Sequence, residues 1–139
     1  NILEQAEKVF DKVIIVKAVN PAKNTIDSQI SFEKLRGTLP FHEVVMWPGL
    51  LPDYIDKVSQ YADVTLVRGL RTGYDLDYEI NLFRYWKDMM NEIKCIYFLG
   101  STEFQHVSSS GVRDISKFDK QVAQKYLPTK FSYYTLKDE

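Results

Sequence analysis

Apolar residues recur along this chain in two alternating rhythms. Between Asn1 and Asp11, Ile2, Leu3, Ala6, Val9 and Phe10 fall at steps of one, three and four, the stripe of an amphipathic helix. Val13-Ile14-Ile15-Val16 follows as a short β-branched run, too short for a buried helix and continuous enough for a strand covered on both faces, and Asn20-Pro21 stops it. Ser31 to Arg36 predicts a short helix ended by Gly37, and Phe41 to Met46 a second strand before the turn at Trp47-Pro48-Gly49. Pro52 to Ala62 carries Tyr54, Ile55, Val58 and Tyr61 at helical spacing, with a proline where a first turn tolerates one, and Val64 to Val67 is the third strand. Asp75 to Met90 is the strongest helix, with Leu76, Ile80, Phe83 and Met90 among its apolar positions and Asp75, Asp77 and Glu79 near the N-terminus, where negative charge is favoured. Ile93 to Leu99 is the fourth strand; Ser108 to Ser116 and Phe118 to Tyr126 are further helices, the second stopped by Pro128. The tail from Phe131 to Glu139 receives no assignment.

Helices alternating with short apolar strands predict an α/β fold, an open parallel sheet with helices on both faces and right-handed crossovers. A length of 139 residues, of which 45% are hydrophobic, suits one domain over 1–139. Such a unit ordinarily opens with a strand, whereas this sequence opens with a helix at Asn1, so a first strand and its loop are expected upstream.

Composition narrows the function. Eighteen basic and nineteen acidic residues leave a net charge of -1, which disfavours nucleic acid as a partner and leaves anion binding to locally placed groups. The single cysteine, Cys95, cannot form an internal disulfide, and with no long apolar run the expectation is a cytoplasmic protein without a membrane partner. His42, His106 and Cys95 are too few and too scattered for a structural zinc site, so no metal ligand is assigned. Neither a Walker-type glycine loop nor a Gly-x-Gly-x-x-Gly fingerprint occurs, which disfavours a P-loop NTPase or an ordinary dinucleotide dehydrogenase.

Ligands of open α/β sheets bind beyond the carboxyl ends of the strands. The first apolar run is followed by Asn20-Pro21-Ala22-Lys23, the third by Arg68-Gly69-Leu70-Arg71, and the fourth by a loop reaching Ser108-Ser109-Ser110 at a helix start. Lys23 is a mobile point charge, the arginines offer planar forks for phosphate oxygens, and serine hydroxyls with free helix N–H groups make an anion seat. Singly, each has a plainer reading: a solvated lysine, arginines paired with the acidic cluster that follows them, a serine cap. Converging on strand ends, they favour a triphosphate site. Asp75, Asp77, Tyr78 and Glu79 stand close to the arginine loop, where carboxylates can orient a ribose or the arginines themselves, or serve the helix dipole alone.

The segment Val67-Arg68-Gly69-Leu70-Arg71, followed by Asp75-Leu76-Asp77-Tyr78-Glu79, resembles the signature region of the bacterial phosphopantetheine adenylyltransferases. The resemblance extends to Phe10-Asp11-Lys12-Val13-Ile14, Asn20-Pro21-Ala22-Lys23, Val107-Ser108-Ser109-Ser110-Gly111-Val112-Arg113 and Tyr126-Leu127-Pro128. It implies a Rossmann-like domain that transfers the adenylyl group of ATP to 4′-phosphopantetheine with Mg2+, in a homo-oligomer that in this family is usually a hexamer. It further implies Lys23 and Arg71 as catalytic residues and Arg68, Gly69, Arg71, Asp75, Glu79, Ser108, Ser109 and Ser110 around ATP. Lys23, Leu51, Tyr78, Leu82 and Trp86 would face phosphopantetheine. The family's Thr/Ser-Phe-Asp-Pro motif ending in Gly-His belongs just upstream of Asn1 and is absent from this sequence, Trp86 stands where the family usually has a small polar residue facing pantetheine, and the tail after Pro128 differs from the usual closing helix. A divergent or phage-encoded member would carry such departures. The alternatives are a related nucleotidyltransferase with another phosphorylated acceptor and a nucleotide-binding module without turnover.

Overall fold

A computed structural model describes residues 1–19, 21 and 25–127. The short apolar runs form two parallel strand pairs. Strand β1 (Ile14–Ala18) lies beside β2 (Glu43–Trp47), with Ile14 opposite Glu43 and Ala18 opposite Trp47. Strand β3 (Leu66–Leu70) lies beside β4 (Cys95–Leu99), with Leu66 opposite Cys95 and Leu70 opposite Leu99. Helix α1 (Ile2–Glu7) precedes the first pair, α2 (Thr25–Thr38) connects β1 to β2, α3 (Leu51–Ser59) leads from β2 to β3, and α4 (Gly73–Met89) connects β3 to β4. A 3-10 turn at Thr102–Phe104, α5 (Ser109–Phe118) and α6 (Lys120–Gln124) follow. Parallel strands in sheets flanked by helices make this a Rossmann-like α/β fold.

Among the described residues the strands form two two-stranded ladders, where the pattern predicted one open sheet. Helix α1 bridges them. The Gln5 side chain donates to the Leu99 carbonyl at 2.9 Å, whereas Glu7 pairs with the His42 ring just before β2. Neighbouring residues on a strand face opposite ways, and β3 uses both sides. Arg68 bonds Glu79 of α4, while Gly69 lies against Ile2 of α1, so helices cover both faces of this strand.

Local chemistry explains the element ends. Pro52 occupies the first turn of α3, where its missing N–H costs nothing, and Ile55 and Val58, about one and two turns on, are buried. Ser108 caps α5 by accepting from the Gly111 N–H at 3.1 Å. Asp119 caps α6 by accepting from Gln121 and Val122. The core cluster is Ile55 of α3, Trp86 of α4 and Ile93 before β4, with Leu51, Val64, Leu66, Leu82, Phe83 and Met90 packed around it.

Several boundaries differ from the pattern. The second predicted helix starts at Thr25 rather than Ser31 and runs past Gly37 to Thr38; its apolar residues are not gathered on one face, so periodicity did not mark its ends. The third strand is shifted by two residues to Leu66–Leu70, so Arg68, Gly69 and Leu70 lie within it and only Arg71 beyond it. Hydrogen bonding to β4 decides that extent, and apolarity marked only its first half. The assignments at Asn20, Ala22 to Asn24 and Pro128 to Glu139 lie outside the described residues.

Candidate nucleotide and phosphate site

The carboxyl end of β3 and the first turns of α4 build the centre of the site. Asp75 and Glu79 are four residues apart and therefore share one helix face, which brings both carboxylates toward the strand end. Each takes an arginine. Arg68 donates from Nε to Glu79 Oε2 at 2.9 Å and from Nη2 to Oε1 at 2.7 Å, a two-bond fork on a carboxylate whose side chain is only 8% exposed. Arg71 repeats the pattern on Asp75, with Nε to Oδ2 at 3.0 Å, Nη2 to Oδ1 at 3.1 Å and its own backbone N–H to Oδ2 at 2.9 Å. The bonds to Glu79 raise the Arg68 pKa, and those to Asp75 raise that of Arg71. The Arg71 guanidinium, with its N–H groups, holds the Asp75 carboxyl below its ordinary range. Both arginines stay charged at any working pH.

Arg71 also reaches the far side of the site. Its Nη1 makes a long bond of 3.5 Å to the Val107 carbonyl, immediately before the Ser108 cap of α5. Ser108 Oγ lies 3.2 Å from Ser110 Oγ, and Ser109 and Ser110 are exposed at the start of this ten-residue helix. A guanidinium, hydroxyls and a helix N-terminus thus stand together, the equipment for holding phosphate oxygens.

The remaining candidates sort by depth. Leu51, Leu82 and Trp86 belong to one apolar cluster, Trp86 being 8% exposed, whereas Tyr78 is 67% exposed on the outer face of α4. The Trp86 ring lies beneath the Arg68 guanidinium, 5.7 Å from centroid to Cζ. Gly69 faces α1, and an added Cβ there would lie 2.9 Å from Ile2 Cγ1, so a side chain could be fitted only if Ile2 shifted. Lys23 lies outside the described residues.

Two contributors escaped the sequence pattern. Tyr97 stands opposite Arg68 in the β3·β4 register, and its hydroxyl lies 3.5 Å from the Glu79 carbonyl as a long donor. Burial pushes this phenol well above its ordinary pKa, and the neighbouring Cys95 adds to the shift. The i, i+2 alternation of Cys95, Tyr97 and Leu99 was the available signal. The Val107 carbonyl carried none, because its contact depends on how α5 enters.

No family model matches the chain. Related proteins are nevertheless recognisable over most of its length. The phosphopantetheine adenylyltransferase of Buchnera aphidicola subsp. Schizaphis graminum is 32% identical over 142 aligned positions, covering 99% of this chain and 84% of that protein. That of Streptococcus pneumoniae strain JJA is 33% identical over 127 positions, 88% of this chain and 77% of that protein. The Clostridium perfringens strain 13 protein of the same name is 28% identical, over 88% of this chain and 75% of its own length. With identity above 30% and both chains covered over most of their length, this chain belongs to the phosphopantetheine adenylyltransferase family.

Proposed function

We propose that the protein transfers the adenylyl group of ATP to 4′-phosphopantetheine, releasing pyrophosphate and forming dephospho-coenzyme A. The observation that carries this reading is Arg71, fixed on Asp75 and touching the residue before the Ser108 cap at 3.5 Å. A nucleotide triphosphate finds there a fork of fixed orientation and a helix N-terminus together.

In the step itself an oxygen of the acceptor's phosphate attacks the α-phosphorus of ATP. A new P–O–P linkage forms, the bond from the α-phosphorus to the bridging oxygen breaks, and pyrophosphate leaves with that electron pair. No proton need move at the reacting oxygens, so alignment and stabilisation of spread negative charge supply most of the acceleration. Arg71 with Ser108, Ser109 and Ser110 holds the departing phosphates, and Arg68, oriented by Glu79, stands beside the apolar cluster of Leu51 and Leu82, which suits a phosphate on an organic arm. Lys23 is proposed to neutralise the reacting phosphoryl group. Magnesium, which the family resemblance implies, would be carried by the nucleotide's phosphates and would supply charge neutralisation there.

The test is pyrophosphate release and dephospho-coenzyme A formation with ATP, magnesium and 4′-phosphopantetheine, with Arg71→Ala as control. Product that falls about a hundredfold or more in the variant supports reaction and site together. ATP binding by a folded protein with no product from this acceptor would refute the reading and move the weight to another phosphorylated acceptor.

A further inference from the structure

Glu79 and Trp86 are seven residues apart on α4, two helical turns, and therefore lie one above the other on the face turned to β3. Arg68 meets both. Glu79 takes its Nε and Nη2, and the Trp86 ring lies 5.7 Å from its Cζ, within the range of a cation–π contact. Among the described residues no acceptor meets Nη1. A guanidinium gripped along one edge and supported by a ring has little freedom left, and its open edge is the one group it can offer a ligand.

We propose that Trp86 is a positioning residue: its indole face fixes the Arg68 guanidinium against Glu79, so that Nη1 is presented to the phosphate of the acceptor substrate. This deepens the proposed function and rests on it for the identity of that acceptor. The indole's burial among Ile55, Ile93 and Leu82 supports the assignment, because a ring locked by packing gives a fixed surface where a polar side chain would give a mobile one. A partly desolvated cation–π contact of this kind is worth up to roughly a tenfold change in affinity.

Trp86→Leu removes the π face and keeps an apolar side chain, whereas Trp86→Phe keeps a face. In Trp86→Leu the KM for 4′-phosphopantetheine is expected to rise about tenfold, with the KM for ATP within about twofold of wild type, and Trp86→Phe restores most of the difference. A residue that serves only the core would lower the folded fraction and leave both KM values of the folded enzyme unchanged, which overturns the proposal, as does equal behaviour of the Leu and Phe variants. Should Trp86→Leu fail to fold, fluorescence decides. The chain has two tryptophans, so Trp47→Phe leaves Trp86 as sole reporter. Its emission is expected to shift saturably with 4′-phosphopantetheine, and the shift to vanish in Arg68→Met; no shift, or one that survives Arg68→Met, overturns the proposal. If the wild type gives no product, the activity reading fails. The fluorescence arm then uses inorganic phosphate as probe, so the two failures remain distinguishable.

Discussion

Replacing Glu79 by glutamine keeps the size of the side chain and removes the charge that holds Arg68. The two bonds, at 2.9 and 2.7 Å, end on a carboxylate buried to 8% exposure, and stranding the charged partner of a buried pair typically costs about 3 to 5 kcal/mol. The Arg68 side chain is 36% exposed, so water replaces part of what is lost, and glutamine retains one acceptor; about 2 to 3 kcal/mol is the expected loss. For 139 residues that lowers the melting temperature by roughly 6 to 12 °C. Thermal and urea unfolding of Glu79→Gln, Arg68→Met and the double variant measure it. The double variant should be more stable than the sum of the single changes predicts by about 2 kcal/mol, since removing both partners leaves no buried charge unpaired. Turnover per folded molecule should nevertheless stay low in all three, by about tenfold to a hundredfold, because a misplaced guanidinium no longer aligns its phosphate. Single effects that add within about 0.5 kcal/mol would refute the coupling, and with it the view that Glu79 acts through Arg68.

Gly69→Ala places a Cβ 2.9 Å from Ile2 Cγ1 and should destabilise by about 1 to 3 kcal/mol in urea unfolding, with Ile2→Ala as a second change recovering part of the loss. Ser108→Ala removes the acceptor for the Gly111 N–H and should cost about 1 kcal/mol by the same assay, whereas Ser108→Thr keeps the cap. The Asp75 carboxyl is lowered from its ordinary value of 3.8, chiefly by the Arg71 side chain, so its contribution is fully present above that value and is lost as pH falls through the lower value in the fold. The stability gap between wild type and Asp75→Asn should therefore be flat from neutral pH down to the ordinary carboxylate range and close only in stronger acid; a gap that closes near pH 6 would contradict the clasp.

The parts of this molecule legible in its sequence are those governed by short-range periodicity. The short apolar runs located all four strands, and the acidic first turns of α4 were visible as two carboxylates one turn apart. Strand extent was not legible, because the ladder to β4 sets it, and that shift takes Arg68 out of a loop and into β3. Nor could sequence distance tell which acid each arginine would meet: Arg71 takes the carboxylate four residues on and Arg68 the one eleven residues on, a choice made by the pleat of β3 and the packing of Trp86. Arg68 and Arg71 are three apart, an odd separation that would send them to opposite faces of one continuous strand. Because β3 ends at Leu70, Arg71 escapes that alternation and turns back to the same helix. The sequence left two readings of these arginines open, structural ion pairing and phosphate binding; the ion pairs are present, and under the proposed function they are compatible with the second. A site that stabilises developing charge works best when its donors are already fixed and need not reorganise as the reaction proceeds. Binding one edge of each guanidinium to a carboxylate achieves that fixation and leaves the other edge to face a ligand, so under the proposed function the salt bridge is the means by which an arginine would be held ready for a phosphate.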